Sequence, residues 1–500
     1  MALDTHNIIL LVLSLLLISI LSRKCITYLT YRHASNHQNY KPAPQIPQWD
    51  RLIGYSLFKE SSQAVSTNSV LQLMTTRFQK YGTTFSGVLM GQSFIMTIEP
   101  ENIKAVLATN FRDFGIRGRL ESFGPLLGNG IFTSDGVQWE HSRALIRPAF
   151  VKAQIADLGL YETHFRNLLS LLPTDGRTVD LQPLFFRLTL DSATEYLFGS
   201  SVNSLHNSEG PEKDFAIAID YALSQIPQRY RRGALTRFLP DRKFHQACKT
   251  VHAYTDRFVQ SALAAKTSKE KQRVEEGGQR YTLLHELAKA TSDPIQLRHE
   301  LLNMLIAGRD TTASLLSNLF FVLARRPDVW QRLRGEVDEL GGRKPDYEAL
   351  RRMKYLRNVL NEALRLYPVV PANSRFATRN TTLPRGGGSD GTSPIFITKG
   401  QIVAYSVFNM HRRDDIYGLN AEEFDPDRWN DLRPGWAYIP FNGGPRICLG
   451  QQFALTEIGY VTVRLVQSFG GIEARGEREW VERLGVTLSS FYGVEVGLYE

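Results

Sequence analysis

Apolar and polar residues follow three different rhythms along the chain, and each change of rhythm marks a change of organisation. The first run, "NIILLVLSLLLISIL" (Asn7–Leu21), is apolar on every side and is followed by Ser22, Arg23 and Lys24. As a helix it covers roughly 22 Å, and Ala2, Leu3 and the "CITYLTY" flank extend it toward the ~30 Å of a hydrocarbon layer. Its basic residues come after the apolar run, Asp4 comes before it, and no small-residue cleavage site follows, so the pattern predicts an uncleaved anchor over residues 1–31 and not a cleaved signal peptide. The positive-inside rule then places the body in the cytosol. Residues 32–48 include "KPAPQIP" (Lys41–Pro47), whose prolines oppose helix continuation and read as a basic, proline-rich spacer. From Trp49 to Ile98, short alternating runs such as "TFSGVLMGQSFIMTI" predict a small sheet. Helical periodicity dominates from Asn102 to Leu366, and from Phe376 to Glu500 short strands and loops surround one helix that starts after Cys448. There is no internal repeat and no Ser/Gly linker. The expectation is a mainly α protein with small β-sheets (α+β), forming one large domain over residues 49–500.

Three stretches carry polar chemistry where the pattern alone would not place it. "LRHELLNMLIAGRDTTASLLSNLFFVLARRP" (Leu297–Pro327) predicts a buried helix of about eight turns stopped by Pro327. Gly308, Arg309, Asp310, Thr311 and Thr312 interrupt its middle, where Gly alone costs ~1 kcal/mol relative to Ala. A helix bend in which hydroxyls satisfy nearby carbonyls accounts for that stretch as readily as a site does. In "NEALRLYPVVPANSR" (Asn361–Arg375), Glu362 and Arg365 lie i,i+3 on one helix face, and "FDPDRW" (Phe424–Trp429) offers Arg428 as a second guanidinium. The third stretch, "PFNGGPRICLGQQFA" (Pro440–Ala454), sets Cys448 among glycine, proline and arginine ahead of an apolar helix. A small buried hydrophobe at 448 would explain neither Arg446 nor the glycines.

Composition narrows what these stretches can do. With 43% hydrophobic and 22% charged residues the chain buries a large core. Cys25, Cys248 and Cys448 are too few and too scattered for a disulfide framework or a zinc site, which indicates a reducing compartment. The net charge of +9 is spread over dispersed arginines with no basic stripe interleaved with aromatics. That argues against nucleic acid and for a surface facing anionic lipid or an acidic protein. Asn380 opens the one plausible glycosylation sequon, which a cytosolic body leaves unmodified.

Taken together, FxxGxRxCxG at Phe441, Gly444, Arg446, Cys448 and Gly450, "AGRDTT" at Ala307–Thr312, ExxR at Glu362 and Arg365, and PxRW at Pro426–Trp429 resemble the cytochrome P450 family, in its order and spacing. From Trp49 to Glu500 the chain is most similar to the fungal n-alkane and fatty-acid ω-hydroxylases. Segments carrying that likeness are "GPLLGNGIFTSDGVQWEHSRALIRPAF", "LRLYPVVPANSRFATRNTTLPRGGGSDGTSPIFITKG" and "YSVFNMHRRDDIYGLNAEEFDPDRW", with the "GGGSDGTSPIFITKG" insertion the most subgroup-specific.

The resemblance implies a single-domain helical haem-thiolate body behind the anchor. Haem b is its cofactor, Cys448 the axial metal ligand, and Phe441 a shield on the sulfur side. Trp139, Arg143, Arg375 and Arg446 are then the propionate-binding residues, and Gly450, with Gly443 and Gly444, lets the backbone approach the macrocycle. Positive charge and backbone N–H groups in the loop are expected to lower the thiol's pKa. Glu362, Arg365 and Arg428 become a buried structural triad. Asp310 and Thr311 are the catalytic pair delivering protons to dioxygen, with Gly308 making space. Electrons are implied to come from NADPH through a separate NADPH-cytochrome P450 reductase, with cytochrome b5 as an optional second donor, because no GxGxxG opens a helix after a predicted strand here. The partner's contact face is placed near Arg412, Arg413 and Arg433. The implied reaction is insertion of one oxygen atom into a C–H bond of a hydrophobic substrate, in a single-pass endoplasmic reticulum protein facing the cytosol. Phe111–Phe132, Phe215–Leu239 and Leu488–Gly493, with Ile306 and Val370, shape the pocket. Terminal hydroxylation of a long-chain fatty acid or n-alkane leads, oxidation of a polyketide or terpenoid in a fungal biosynthetic pathway is the alternative, and a reductase-independent haem-thiolate isomerase or dehydratase, or a protein that only binds haem, is the distant third.

Overall fold

A computed structural model of the chain describes residues 39–500 except 117, 152–155, 207–208, 234–235, 237–238, 240 and 268–281, together with single positions before residue 39. The expected anchor over residues 1–31 therefore lies almost wholly outside the described residues, and among the described residues no helix is long and apolar enough to cross a membrane.

The helices of eight residues or more are α1 (Tyr55–Ser66), α2 (Val70–Tyr81), α3 (Arg119–Leu127), α4 (Gly136–Ile146), α5 (Gly159–Leu169), α6 (Leu181–Phe198), α7 (Pro211–Arg232), α8 (Arg242–Thr267), α9 (Leu283–Ala290), α10 (Pro294–Leu323), α11 (Pro327–Asp338), α12 (Lys354–Leu366) and α13 (Gln451–Ser468). The strands are β1 (Thr84–Leu89), β2 (Gln92–Thr97), β3 (Phe114–Gly115), β4 (Asp175–Asp180), β5 (Ala372–Ala377), β6 (Thr381–Gly387), β7 (Ser393–Ile397), β8 (Ile402–Ser406), β9 (Gly471–Ala474), β10 (Glu482–Leu484), β11 (Leu488–Ser490) and β12 (Glu495–Tyr499). The body is mainly helical with small sheets, as the pattern indicates.

The largest sheet runs β1-β2-β8-β5-β3, antiparallel except where β2 lies parallel to β8 with Phe94 opposite Ile402. A second sheet runs β4-β12-β9, and β6–β7 and β10–β11 are separate hairpins. Only the second half of the Trp49–Ile98 zone is the expected sheet; α1 and α2 fill the first. Their buried positions, Leu57, Ala64, Leu71 and Phe78, fall one per two turns, so the apolar stripe is too thin to read as helical. The proline-rich stretch is not a free spacer either. Ser86 N–H donates to the Pro44 carbonyl (2.7 Å), Ile46 N–H donates to the Ser86 carbonyl (2.9 Å), and Ala43 and Ile46 are buried, so the body begins at least at Lys41 and not at Trp49.

Helix α10 organises the interior. Asp293 caps it by accepting the Ile295 and Gln296 N–H groups, with Pro294 in the first turn, so it starts before the expected Leu297. It ends at Leu323, and Pro327 opens α11 without having stopped α10. Its N-terminal half, Leu297–Ile306, packs into one apolar core with α3, α4, α7, α8 and α9. Its C-terminal half, from Ala313, packs into another with α6, α11, α12 and α13. Each fully buried leucine in these cores is worth ~1.5–3 kcal/mol. The polar stretch Gly308–Thr312 sits where the two cores meet, which fixes it in depth and in rotation.

Candidate functional site: the Cys448 loop and its surroundings

Helix α12 turns one strongly apolar face inward, yet Glu362 and Arg365 lie on that face with 0% exposure. They pair through two parallel bonds of 2.8 Å each. Every Arg365 donor is used, the remaining three by the carbonyls of His411, Ala421 and Glu423. Glu362 in turn accepts from Asp425 N–H (2.9 Å), Trp429 Nε1–H (3.0 Å) and, more loosely, Arg428 Nε–H (3.4 Å). One ion pair thus ties together turns and short helical segments between His411 and Trp429.

His411 carries that order to the cysteine loop. Its ring stands between the Arg365 carbonyl (3.3 Å from Nδ1) and the Ile439 N–H (3.1 Å from Nε2). Nε2 must accept, so the ring is neutral with its proton on Nδ1. Burial, with Arg365 and Arg412 adding positive charge nearby, pushes its pKa down to about 3.

The loop from Ile439 leads to Cys448, whose N–H donates to the Phe441 carbonyl (3.0 Å). The Phe441 ring packs on the core shared by α10, α12 and α13. Asn442, at φ 66°, accepts from the Tyr405 hydroxyl (3.0 Å). The glycines answer first to protein neighbours. A Cβ at Gly444 would overlap the Leu107 carbonyl, one at Gly443 would strike the Trp436 ring, and one at Gly450 would come 3.3 Å from Phe150. Protein neighbours alone account for glycine at Gly443 and Gly444. The thiol of Cys448 is accessible at its surface while protein surrounds it. The expected lowering of its pKa is also reversed in balance: burial raises it, and the Gly450 N–H and Arg143 pull only partly the other way. Coordination to a metal ion deprotonates such a thiol outright.

Four guanidiniums gather beside the loop. Trp139 on α4 is buried, with the Arg446 guanidinium 4.3 Å from its ring centroid and Arg143 at 5.8 Å. Arg143 donates to the Ile447 carbonyl (3.0 Å). Arg375 and Arg119 share the Asn373 side-chain oxygen at 3.1 and 2.6 Å. The carboxylate in their midst is Asp135, 2.6 Å from Arg446 and also accepting the Ile116 N–H. Burial and the mutual repulsion of these cations outweigh Asp135 and bring Arg446 down to about 10. Burial and Arg375 likewise lower Arg119. Four cations against one carboxylate leave guanidiniums free of a carboxylate partner to pair with two propionates, beside an accessible thiol that suits iron, so the residues present fit haem.

At the centre of α10, Asp310 is buried and bonded to Arg309 (2.8 Å), which also pairs with Asp220 of α7. Burial raises the Asp310 pKa against the pull of Arg309. Thr311 Oγ1 donates to the Ala307 carbonyl (2.6 Å). The nearest protein atom to a Cβ at Gly308 is Ala193 Cβ at 3.9 Å, an ordinary contact, so no protein neighbour demands glycine there. One turn further on, Ser314 donates to Thr487 Oγ1 (2.7 Å) and Asn318 to the Leu488 carbonyl (2.9 Å), docking the β10–β11 hairpin on α10.

The family profile described as Cytochrome P450 matches residues 44–482. The chain belongs to the cytochrome P450 family. It is 47% identical over 473 residues to the cytochrome P450 monooxygenase himC of Aspergillus japonicus, covering 93% of this chain and 85% of that one. It is 43% identical over 459 residues to the cytochrome P450 monooxygenase fsdH of Fusarium heterosporum (90% and 81% covered), and 47% identical over 435 residues to cytochrome P450 52A4 of Candida maltosa (82% and 80% covered). As a cytochrome P450 the protein is a monooxygenase of the haem-thiolate class, using a redox partner and a hydrophobic substrate.

Within this cytochrome P450, the structure brings together Trp139, Arg143, Arg375, Arg446 and Cys448, and separately Glu362, Arg365 and Arg428. It joins Asp310 to Arg309 and, through Arg309, to Asp220. Arg119 and His411 were absent from the sequence expectation. Nothing local marks Arg119, and a histidine in "NMHRRDD" looks solvent-facing. Arg412 and Arg413, expected on the partner-facing surface, are spent internally. Arg412 stacks on Phe408 (3.6 Å) and pairs with Glu422, and Arg413 pairs with Glu99 and Asp415. Arg433 donates to three carbonyls of its own turn.

Arg365→Ala strands a buried carboxylate and should cost about 3–5 kcal/mol of stability, with Arg428→Ala costing clearly less, as measured by urea unfolding. For His411 the folded value lies below the unfolded one, so its contribution is complete above about 6.5 and is lost as the pH falls toward about 3. Stability should drop by up to ~1.4 kcal/mol per pH unit across that window. In His411→Gln, whose amide oxygen can still accept the Ile439 N–H, that acid limb should flatten in the same titration.

Proposed function

We propose that the protein is a membrane-bound monooxygenase that hydroxylates the terminal carbon of a long-chain fatty acid or n-alkane. The observation that carries the haem-thiolate half of this reading is the surplus of guanidiniums, Arg119, Arg143, Arg375 and Arg446, around an accessible Cys448. In this reading Cys448 holds the iron, the four arginines and the Trp139 indole hold the propionates, and the Glu362–Arg365–Arg428 group keeps the loop in place. When bound, haem with a thiolate ligand supplies dioxygen activation and O–O cleavage.

The chain's own task is to deliver protons and to position an apolar chain. Asp310, raised by burial, holds a proton at pH values where a free aspartate would have lost it, which suits a general acid. Thr311 spends its hydroxyl hydrogen on the Ala307 carbonyl and so keeps its lone pairs as acceptors. Electrons come from NADPH through a separate flavoprotein reductase, with cytochrome b5 as a second donor, and the anchor over residues 1–31 holds the protein in the endoplasmic reticulum membrane with its body in the cytosol.

The substrate assignment rests on the likeness of the "GGGSDGTSPIFITKG" region and its neighbours to the ω-hydroxylase group. Identity to the 52A4 protein and to himC is the same, 47%, so it does not by itself separate a linear chain from the polyketide or terpenoid alternative.

Reduced wild-type protein under carbon monoxide should show the red-shifted Soret band of thiolate ligation, and Cys448→Ser should lose it. Titrating the oxidised protein with saturated acids from dodecanoate to stearate length, with n-alkanes and with polycyclic polyketides should give a low-to-high-spin shift with the linear chains. A shift with the polycyclic compounds alone transfers the assignment to the alternative. Turnover with a lipid hydroperoxide but none with NADPH and reductase would overturn the monooxygenase reading.

A further inference from the structure

Glu300 on α10 takes no part in the chemistry above, yet burying its carboxyl is costly. It has 0% exposure, and neither carboxyl oxygen has a hydrogen-bond partner. Across the interface, Ser142 of α4 also has 0% exposure and an unpaired hydroxyl. That hydroxyl lies on the carboxyl's side, beyond full hydrogen-bonding geometry but near enough to favour the ionised form slightly. Burial is the larger influence and pushes the acid up to about 7.

Among the described residues no charge nearby compensates an ionised Glu300. On its own helix, Arg298 is committed to Asp256 of α8 (2.7 Å), and the His299 ring accepts the Asn129 N–H while burial holds its pKa down to about 4. On α4, Arg143 turns to the Ile447 carbonyl, and Glu140 and His141 are exposed. On α9, Glu286 pairs with Lys289 and His285 bonds to Thr282. On α3, Glu121 is exposed and Arg119 reaches Asn373; His252 of α8 bonds to the Leu126 carbonyl; and on α6, Glu195 pairs with His164. A carboxylate in this position would be a buried, unpaired charge.

Ser142 precedes Arg143 and stands nearly one turn beyond Trp139, the two α4 residues of the cation cluster. We propose that Glu300 is a positioning residue for the haem-binding face of α4. Uncharged, it lets α4 lie closed against α10; once ionised, it forces the interface to open or to admit water, and the hold of Trp139 and Arg143 on haem is weakened. This rests on the reading that the cluster binds haem.

The sign follows from the folded value lying above the unfolded 4.5. The contribution of neutral Glu300 is complete below about 4.5 and is lost as the pH rises to about 7, up to about tenfold in equilibrium per pH unit. The test is haem transfer from the holoenzyme, defined beforehand by its thiolate spectrum, to excess apomyoglobin across that range and above it. Wild type should release haem faster as the pH rises, while Glu300→Gln, isosteric and without charge, should lack that component. Ser142→Ala removes a group that favours ionisation and should move the rise to higher pH, which keeps the test decisive if the glutamine variant folds poorly. Superimposable pH profiles for wild type and both variants overturn the proposal. So does a pH difference seen in urea unfolding but not in haem release, which would make Glu300 a structural acid only. A preparation with no thiolate-ligated haem would instead overturn the underlying reading, and is recognised before any transfer begins.

Discussion

The Glu362–Arg365 pair is the interaction on which the site depends. Two charges with no exposure are costly to desolvate, and the cost is recovered only because both are saturated with hydrogen bonds. Those bonds reach irregular backbone that has no sheet or helix of its own to hold it: the carbonyls of His411, Ala421 and Glu423 and the N–H of Asp425. Through His411 the same order reaches Ile439, and from there the backbone passes to Cys448. A thiol in a loop would otherwise have the freedom of a loop. Here its position is inherited from a rigid helix through fixed donors and acceptors.

Around that fixed thiol the structure places charge asymmetrically. The guanidinium cluster is in surplus near Cys448, whereas the centre of α10 pairs Arg309 with two carboxylates, Asp310 and Asp220. One region carries unbalanced positive charge, the other a buried guanidinium already paired with two carboxyl groups. The junction between the two apolar cores of α10 keeps them apart, because the polar stretch occupies the short gap between Ile306 and Ala313.

The parts legible in the sequence are those whose partners lie within a few residues or in a fixed-spacing motif. ExxR on α12, the Cys448 loop, the polar centre of α10 and the β1–β2 hairpin are of this kind. What was illegible depends on distant chain. Arg119 joins Arg375 only through Asn373 on strand β5, Arg309 meets Asp220 across two helices, and the loop glycines face Trp436, Leu107 and Phe150. Helices α1 and α2 leave little helical signal because each buries only a thin stripe, and proline composition in Lys41–Pro47 says nothing about a nearby strand edge that accepts it. Arg412 and Arg413 show the same limit from the other side, since basic residues in a loop look exposed until their carboxylates are located.

The most direct test of this account is a double-mutant cycle at Glu362 and Arg365, read by the fraction of haem with thiolate ligation in the reduced carbon monoxide complex. Glu362→Leu and Arg365→Met alone should each leave one buried charge unpaired and lose most of the thiolate signal, while the double variant should retain more than either. Full thiolate signal and wild-type stability in the Arg365→Met single variant would contradict it.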